Sequence, residues 1–270
     1  AVAIDWPFYH HDLRRTGFTL LKGDLSQSDT TQVGWQMNDS VNPNAFDFPS
    51  IADIDSDGLQ EILTATSITQ GESGTEFEGR FYVLECQKSN NKCRNFNEKW
   101  RFIRDNFTIG KAPSIDDING DDIKEVVFAG FGVFNAADDG PVYAFKANKK
   151  GKQERSDASY TFNLPYETEQ HNGANDYGEI GHTIIVDINN QGDKEVLLTD
   201  YSGLLNWQGY LYVLKPDSNK RFTQFQDRIP IGPKALSGGA KGAIASANIN
   251  SDDYPEIIVP ASFGIYVYGL

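Results

Sequence analysis

Residues 49–62 read PSIADIDSDGLQEI, and related stretches recur as PSIDDINGDDIKEV (113–126), TIIVDINNQGDKEV (183–196) and AIASANINSDDYPEI (243–257). The first acidic or amide position of each copy falls at Asp53, Asp117, Asp187 and Asn248, so the copies are spaced by 64, 70 and 61 residues. A period of that length marks a repeat architecture, in which one supersecondary unit is stacked several times and no unit buries its apolar face alone. Within a copy, oxygen-bearing side chains stand at alternate positions around a turn. A short loop wraps hard ligands around a divalent cation such as calcium in this way.

Each unit reads as a run of short strands, β-branched or aromatic and separated by turn residues. The first gives Ser50–Ile54, Glu61–Ala65, Arg80–Glu85 and Lys99–Ile103. The second gives SIDDI, EVVFAG, PVYAFKA and SYTFNL, the third TIIVDI, EVLLTD, GYLYVLK and RFTQFQ, and the fourth AIASANI, EIIVPA and GIYVYG. The last unit is one strand short, while VGWQMN (Val33–Asn38) is a spare strand at the other end, with Trp35 matching Trp100 of the first unit. The expected fold is therefore all-β: a β-propeller of four four-stranded blades (about 48–104, 112–165, 182–227 and 243–270). An N-terminal arm (1–32) precedes it, and strand 33–38 closes the last blade. Closure removes the open edges that a linear array would leave. An open segment that takes its missing strand from a neighbouring chain fits the same sequence.

Composition narrows the partners. A formal charge of −14 and a pI near 4.6 oppose nucleic acid and anionic membrane surfaces and suit cation binding. No apolar run approaches the ~20 residues that span a bilayer, and Asp5 lies within the first five residues, so a mature secreted form is expected. Cys86 and Cys93 bracket the polar turn QKSNNK, where a disulfide would clamp a hairpin in an oxidising compartment. Asn38-Asp39-Ser40 and Asn106-Phe107-Thr108 are N-glycosylation triplets.

The pattern D-x-D-x-D-G-x-x-E-I/V resembles the FG-GAP or VCBS repeat of integrin α-subunit heads and microbial surface propellers, and WPFYHHDLRRTG resembles the opening that often precedes such repeats. The resemblance covers the chain from Trp6 onward and implies a calcium-dependent extracellular propeller. Carried over by position, it implies metal ligands Asp53, Asp55, Asp57, Glu61 and the Leu59 carbonyl in the first loop. The second offers Asp117, Asn119, Asp121, Glu125 and the Ile123 carbonyl, with Asp122 at the glycine position. The third offers Asp187, Asn189, Gln191, Asp193 and Glu195 around Gly192, and the fourth Asn248, Asn250, Asp252, Tyr254 and Glu256, with Asp253 at the glycine position. Aligned carboxylates decline along the chain, so the Asp53 and Asp117 loops are expected to hold calcium most tightly. Solvated Asx-turns are the alternative for any single loop.

Long segments between strands are where binding is expected: Ser67–Gly79, Gly130–Gly140, Pro165–Gly181 and Asp227–Gly242. Trp207, Tyr177, Phe131 and Phe134 lie there or nearby, to bind a sugar ring or to pack between blades. The basic stretch Lys146–Arg155 meets an acidic neighbour or is a solvated hairpin end. His10, His11, His171 and His182 have no metal-ligand spacing, and no nucleophile elbow, phosphate loop or redox cysteine pair is present. Loop carboxylates Glu167, Glu169, Asp176 and Glu179 keep a polysaccharide-acting enzyme open. The expected function is a non-catalytic, calcium-binding extracellular module for adhesion or for a surface assembly, with other surface proteins, copies of itself or glycans as partners. A glycan-binding lectin is the second reading.

Overall fold

The computed structural model describes residues 43–44, 49–70, 76–89, 92–105, 107–109, 111–132, 141–163, 179–201, 209–232, 242–261 and 264–269. Among these, twenty strands form four sheets in chain order, and the one helical element is a short 3-10 turn at Arg155–Asp157. The chain is all-β.

Sheet one contains β1 (Pro43–Asn44), β2 (Ser50–Ala52), β3 (Glu61–Gln70), β4 (Glu76–Ser89) and β5 (Lys92–Asp105). Sheet two contains β6 (Phe107–Ile109), β7 (Ser114–Asp116), β8 (Glu125–Gly132) and β9 (Pro141–Lys146). After these come β10 (Gly151–Gln153), which joins sheet one, and β11 (Tyr160–Asn163), which completes sheet two. Sheet three is β12 (Glu179–Ile180), β13 (Ile184–Val186), β14 (Glu195–Tyr201), β15 (Gly209–Pro216), β16 (Phe222–Gln224) and β17 (Ile229–Ile231). Sheet four is β18 (Ala245–Ala247), β19 (Glu256–Ala261) and β20 (Gly264–Gly269).

The four sheets share one plan. A three-residue strand pairs antiparallel with the longer strand that follows the acidic loop, and that strand pairs antiparallel with the next. Successive side chains on a strand point to opposite faces, and here both faces are buried. Val126 and Phe128 of β8 join Leu63, Ala65, Phe81 and Val83 of sheet one in one apolar core. Val127 and Ala129 of the same strand join Val196, Leu198, Tyr212 and Leu214 of sheet three in a second. Leu197, Leu211 and Val213 of sheet three then meet Ile257 and Val259 of sheet four in a third. Two-sided burial explains why EVVFAG and EVLLTD read as near-continuous apolar runs. Each fully buried large side chain contributes roughly 1.5–3 kcal/mol, so the contacts between sheets are where the fold is stabilised.

The first of these cores is aromatic. Phe81 stacks on Phe128 with centroids 4.4 Å apart, and Trp100 packs against Phe81 and Phe145 while its indole N–H donates to the Ala147 carbonyl at 3.2 Å. Polar links repeat with the same step. Ser50 Oγ donates to the Pro113 carbonyl (3.0 Å) and Ser114 Oγ to the Thr183 carbonyl (2.6 Å). Lys124 donates back to the Asp53 carbonyl (2.9 Å), and Lys194 back to the Asp116 carboxylate (2.6 Å). These polar links relate sheet one to sheet two and sheet two to sheet three, and the apolar core continues the series from sheet three to sheet four.

The structure departs from the sequence reading in the expected long loops and in the basic stretch. Parts of three of those loops are strand: Gly130–Gly132 in β8, Glu179–Ile180 as β12 and Ile229–Ile231 as β17. The stretch expected as a long loop at Ser67–Gly79 is mostly strand, because β3 and β4 continue their pairing from Ile62↔Leu84 out to Gln70↔Glu76. The basic stretch Lys146–Arg155 is more than a hairpin end. Its residues Gly151–Gln153 add to the edge of sheet one as β10, parallel to β5 and in register with Trp100–Phe102, and Gln153 is buried. A left-handed Gly151 (φ 70°) turns the chain into that pairing, which a local strand signal does not encode. Strand 33–38 and the arm lie outside the described residues.

Candidate metal centres

The acidic loops lie between β2 and β3, β7 and β8, β13 and β14, and β18 and β19, and their backbone is shaped by their own carboxylates. Asp53 accepts the Asp57 N–H at 3.2 Å and the Gly58 N–H at 2.9 Å; Asp57 accepts the Leu59 N–H at 2.7 Å. Asp117 accepts the N–H groups of Gly120 (2.8 Å) and Asp122 (2.8 Å), and Asp121 that of Ile123 (3.0 Å). Asp187 accepts those of Gln191 (3.1 Å) and Gly192 (2.6 Å), and Asn189 that of Gln191 (3.0 Å). Such Asx-type bonds curl the chain and draw the side-chain oxygens inward.

Two left-handed residues make the curl possible. In the first loop they are Ser56 (φ 63°) and Gly58 (81°), in the second Gly120 (71°) and Asp122 (62°), and in the third Asn190 (53°) and Gly192 (90°). Glycine thus appears at either of two positions, and Asp or Asn, which tolerate this region, fills the other in loops two and three. The fourth loop has only Ser251 (66°) in this conformation.

Each loop is closed by a buried glutamate at the start of the strand that follows it, β3, β8, β14 or β19. Glu61, Glu125, Glu195 and Glu256 accept the N–H of Ile54 (3.0 Å), Ile118 (3.2 Å), Ile188 (3.2 Å) and Ile249 (2.8 Å) through one oxygen. The other oxygen is the informative one. Glu61 is 0% exposed, and its Oε1 has no hydrogen-bond partner; the same holds for Oε1 of Glu195, whereas that of Glu125 accepts the Asn119 amide at 3.1 Å. An ionised carboxylate left this way is costly. Burial, with neighbouring aspartates adding to it, pushes Glu61 and Glu125 up to about 7 and raises Glu195, against the lowering effect of the backbone N–H.

In the first loop, one oxygen each from Asp53, Asp55 and Glu61 lie within 4.8 Å of one another, and so do oxygens of Asp55, Asp57 and Glu85. Glu85 was not among the residues singled out from the sequence. Its signal is register: Leu84 pairs with Ile62, so Glu85 follows where Lys146 pairs with Glu125 in sheet two. Ammonium groups also enter. Lys99 bonds Asp55 and Glu85, Lys146 bonds Asp121, and Lys215 lies 2.8 Å from Asp193 and 3.9 Å from Glu195 Oε1. Although burial lowers the pKa of Lys99, its carboxylate bonds outweigh that and raise it.

The fourth loop is built differently. Amide groups of Asn248 and Asn250 donate to the Asp252 carbonyl and carboxylate, filling the loop with its own donors. A hard-oxygen, multi-carboxylate cage with an orphaned buried oxygen fits a divalent cation at Asp53, Asp55, Asp57 and Glu61; in the fourth loop Asn248 and Asn250 stand where the first has Asp53 and Asp55.

Among the other candidates, Cys86 is disulfide-bonded and Cys93, the only other cysteine in the chain, lies in the paired strand β5. His182 is buried. Phe131 lies in β8 and Glu179 in β12, while Trp207, Tyr177, Phe134, Asn38, Asn106, His10, His11, His171, Glu167, Glu169 and Asp176 lie outside the described residues. No helix among the described residues is long and apolar enough to cross a membrane. No protein-family model matches the chain, and no curated protein matches it by sequence.

Proposed function

We propose that this chain is a non-catalytic, calcium-stabilised extracellular β-propeller that serves as a surface adhesion module or a repeating subunit of a surface assembly. The observation that carries the calcium reading is the buried Glu61, whose unpartnered Oε1 belongs to the carboxyl that closes the Asp53–Asp55 cage. A cation there would supply the missing partner and neutralise part of the −14 charge. The recurrence of one sheet plan, with an apolar core between each sheet and the next, supports four blades. The disulfide at Cys86 supports an oxidising compartment.

The last sheet supports the assembly half. Ile265 and Val267 of β20 pair with Pro260 and Ile258, in the register of Phe81 and Val83, Val142 and Ala144, and Leu211 and Val213. All of those counterparts are buried, yet Ile265 is 72% and Val267 51% exposed. In sheets one to three this face packs on the sheet that follows, so a further sheet belongs here, sheet one of the same chain if the ring closes or a sheet of a neighbour. The test is thermal unfolding in excess calcium and in excess chelator. Because ligand that binds only the folded state stabilises it by mass action, a rise of several degrees with calcium is expected. Coincident melting curves overturn the calcium reading.

A further inference from the structure

One position on the second strand after each acidic loop (β4, β9, β15 and β20) varies in charge while the buried glutamate opposite it does not. In sheet two it is Lys146, paired with Glu125, and in sheet four Gly269, paired with Glu256. Continuing the registers Ile62↔Leu84 and Val196↔Leu214 by one residue places Glu85 and Lys215 there in sheets one and three. We propose that this position decides which loops demand a divalent cation: Glu85 makes the first loop cation-dependent, and Lys215 serves as the built-in cation of the third. The inference rests on the calcium reading above and assigns its sites.

The third loop has a charge within reach of its orphaned oxygen. Glu195 Oε1 accepts no hydrogen bond, and the Lys215 ammonium lies 3.9 Å from it while bonding Asp193 at 2.8 Å. A lysine stem reaching in from the neighbouring strand holds its ammonium near the loop permanently, so an external ion must displace or share space with a tethered one. At close range two cations repel by an energy comparable to the attraction of a carboxylate for either. The metal therefore loses affinity where the lysine stands.

The first loop has the opposite arrangement. Glu85 adds a carboxylate within 4.8 Å of Asp55 and Asp57, and Asp55 is shared with the Asp53–Glu61 cluster. Lys99 bonds Asp55 and Glu85 but leaves Glu61 Oε1 without a hydrogen bond. A single ammonium facing Asp53, Asp55, Asp57, Glu61 and Glu85 leaves a larger uncompensated charge than Lys215 facing Asp187, Asp193 and Glu195. A doubly charged ion with six to eight oxygen ligands suits the first loop and is superfluous in the third.

Calcium titration of the chelator-treated full chain by calorimetry tests this, with Glu85→Gln, Lys215→Met and the charge-keeping control Lys215→Arg. Glu85→Gln is expected to weaken the tightest site about tenfold or more, since affinity in such loops follows ligand charge. Lys215→Met is expected to bind one more calcium than the wild type, and Lys215→Arg the same number as the wild type. If Lys215→Met folds only with calcium present, that counts for the proposal; if it fails to fold in both conditions, Glu85→Gln decides. A wild-type chain that binds calcium while both variants bind it identically overturns the assignment and leaves the calcium reading standing. A wild-type chain that takes up no calcium overturns both.

Discussion

Asp200 gives the sharpest quantitative prediction. It sits in β14 at the far end of the strand from the acidic loop, almost fully buried, and its carboxyl accepts the Tyr210 N–H and the Tyr212 hydroxyl at 2.9 Å. Burial pushes it from the ordinary 3.8 up to about 7, with those hydrogen bonds working the other way. A group held more basic in the folded chain binds its proton more tightly there. Its contribution to stability is complete below the unfolded value and is lost as pH rises through the folded one. At 1.36 kcal/mol per unit the full loss is about 4 kcal/mol, of which about 3 kcal/mol falls between pH 5 and 8. Asp200→Asn has the shape of the protonated acid and does not titrate. The difference in stability between wild type and Asp200→Asn should therefore move by about 3 kcal/mol in favour of the variant from pH 5 to 8, roughly 5–10 °C in melting temperature. Measuring both proteins in saturating calcium cancels what the loops contribute. Burial raises Tyr210 and Tyr212 as well, so neither titrates inside this window. Stability curves that stay parallel across the window refute the reasoning.

Trp100→Ala should cost roughly 3–5 kcal/mol in a denaturant titration, because it removes a fully buried ring from the first core together with the indole bond to Ala147; a loss under 1 kcal/mol would mean that the sheets do not pack as described. Asp122→Gly should raise stability by up to about 1 kcal/mol in chelator, since φ is 62° there and the Asp122 N–H bond to Asp117 is kept. Gly58→Ala should do the reverse by a similar amount, its φ of 81° being left-handed with no steric obstacle beside it. Melting curves of both variants check the pair.

Much of the site was legible because metal-loop chemistry is local. The spacing of Asp53, Asp55, Asp57 and Glu61 is written in consecutive residues, and so is the turn that brings them together. The different construction of the fourth loop was visible too, in Asn248 and Asn250 standing where loop one has Asp53 and Asp55. Glu85 and the lysines were not legible, because they reach the loops across a strand pairing whose register fixes which residue faces which.

The same division runs through the fold. The sequence by itself determined four β units and their order, since period, turn residues and β-branched runs are properties of a few neighbouring positions. Tertiary structure decided that both faces of β8 and β14 are buried, that β10 crosses to the edge of sheet one, and that Lys124 and Lys194 tie Asp53 and Asp116 to the sheet that follows. It also decided that the equivalents of Phe81 and Val83 on the last sheet, Ile265 and Val267, stand exposed. These outcomes depend on which surfaces meet after the chain has travelled tens of residues. Local propensity carries no information about that meeting; only the packed sheets do.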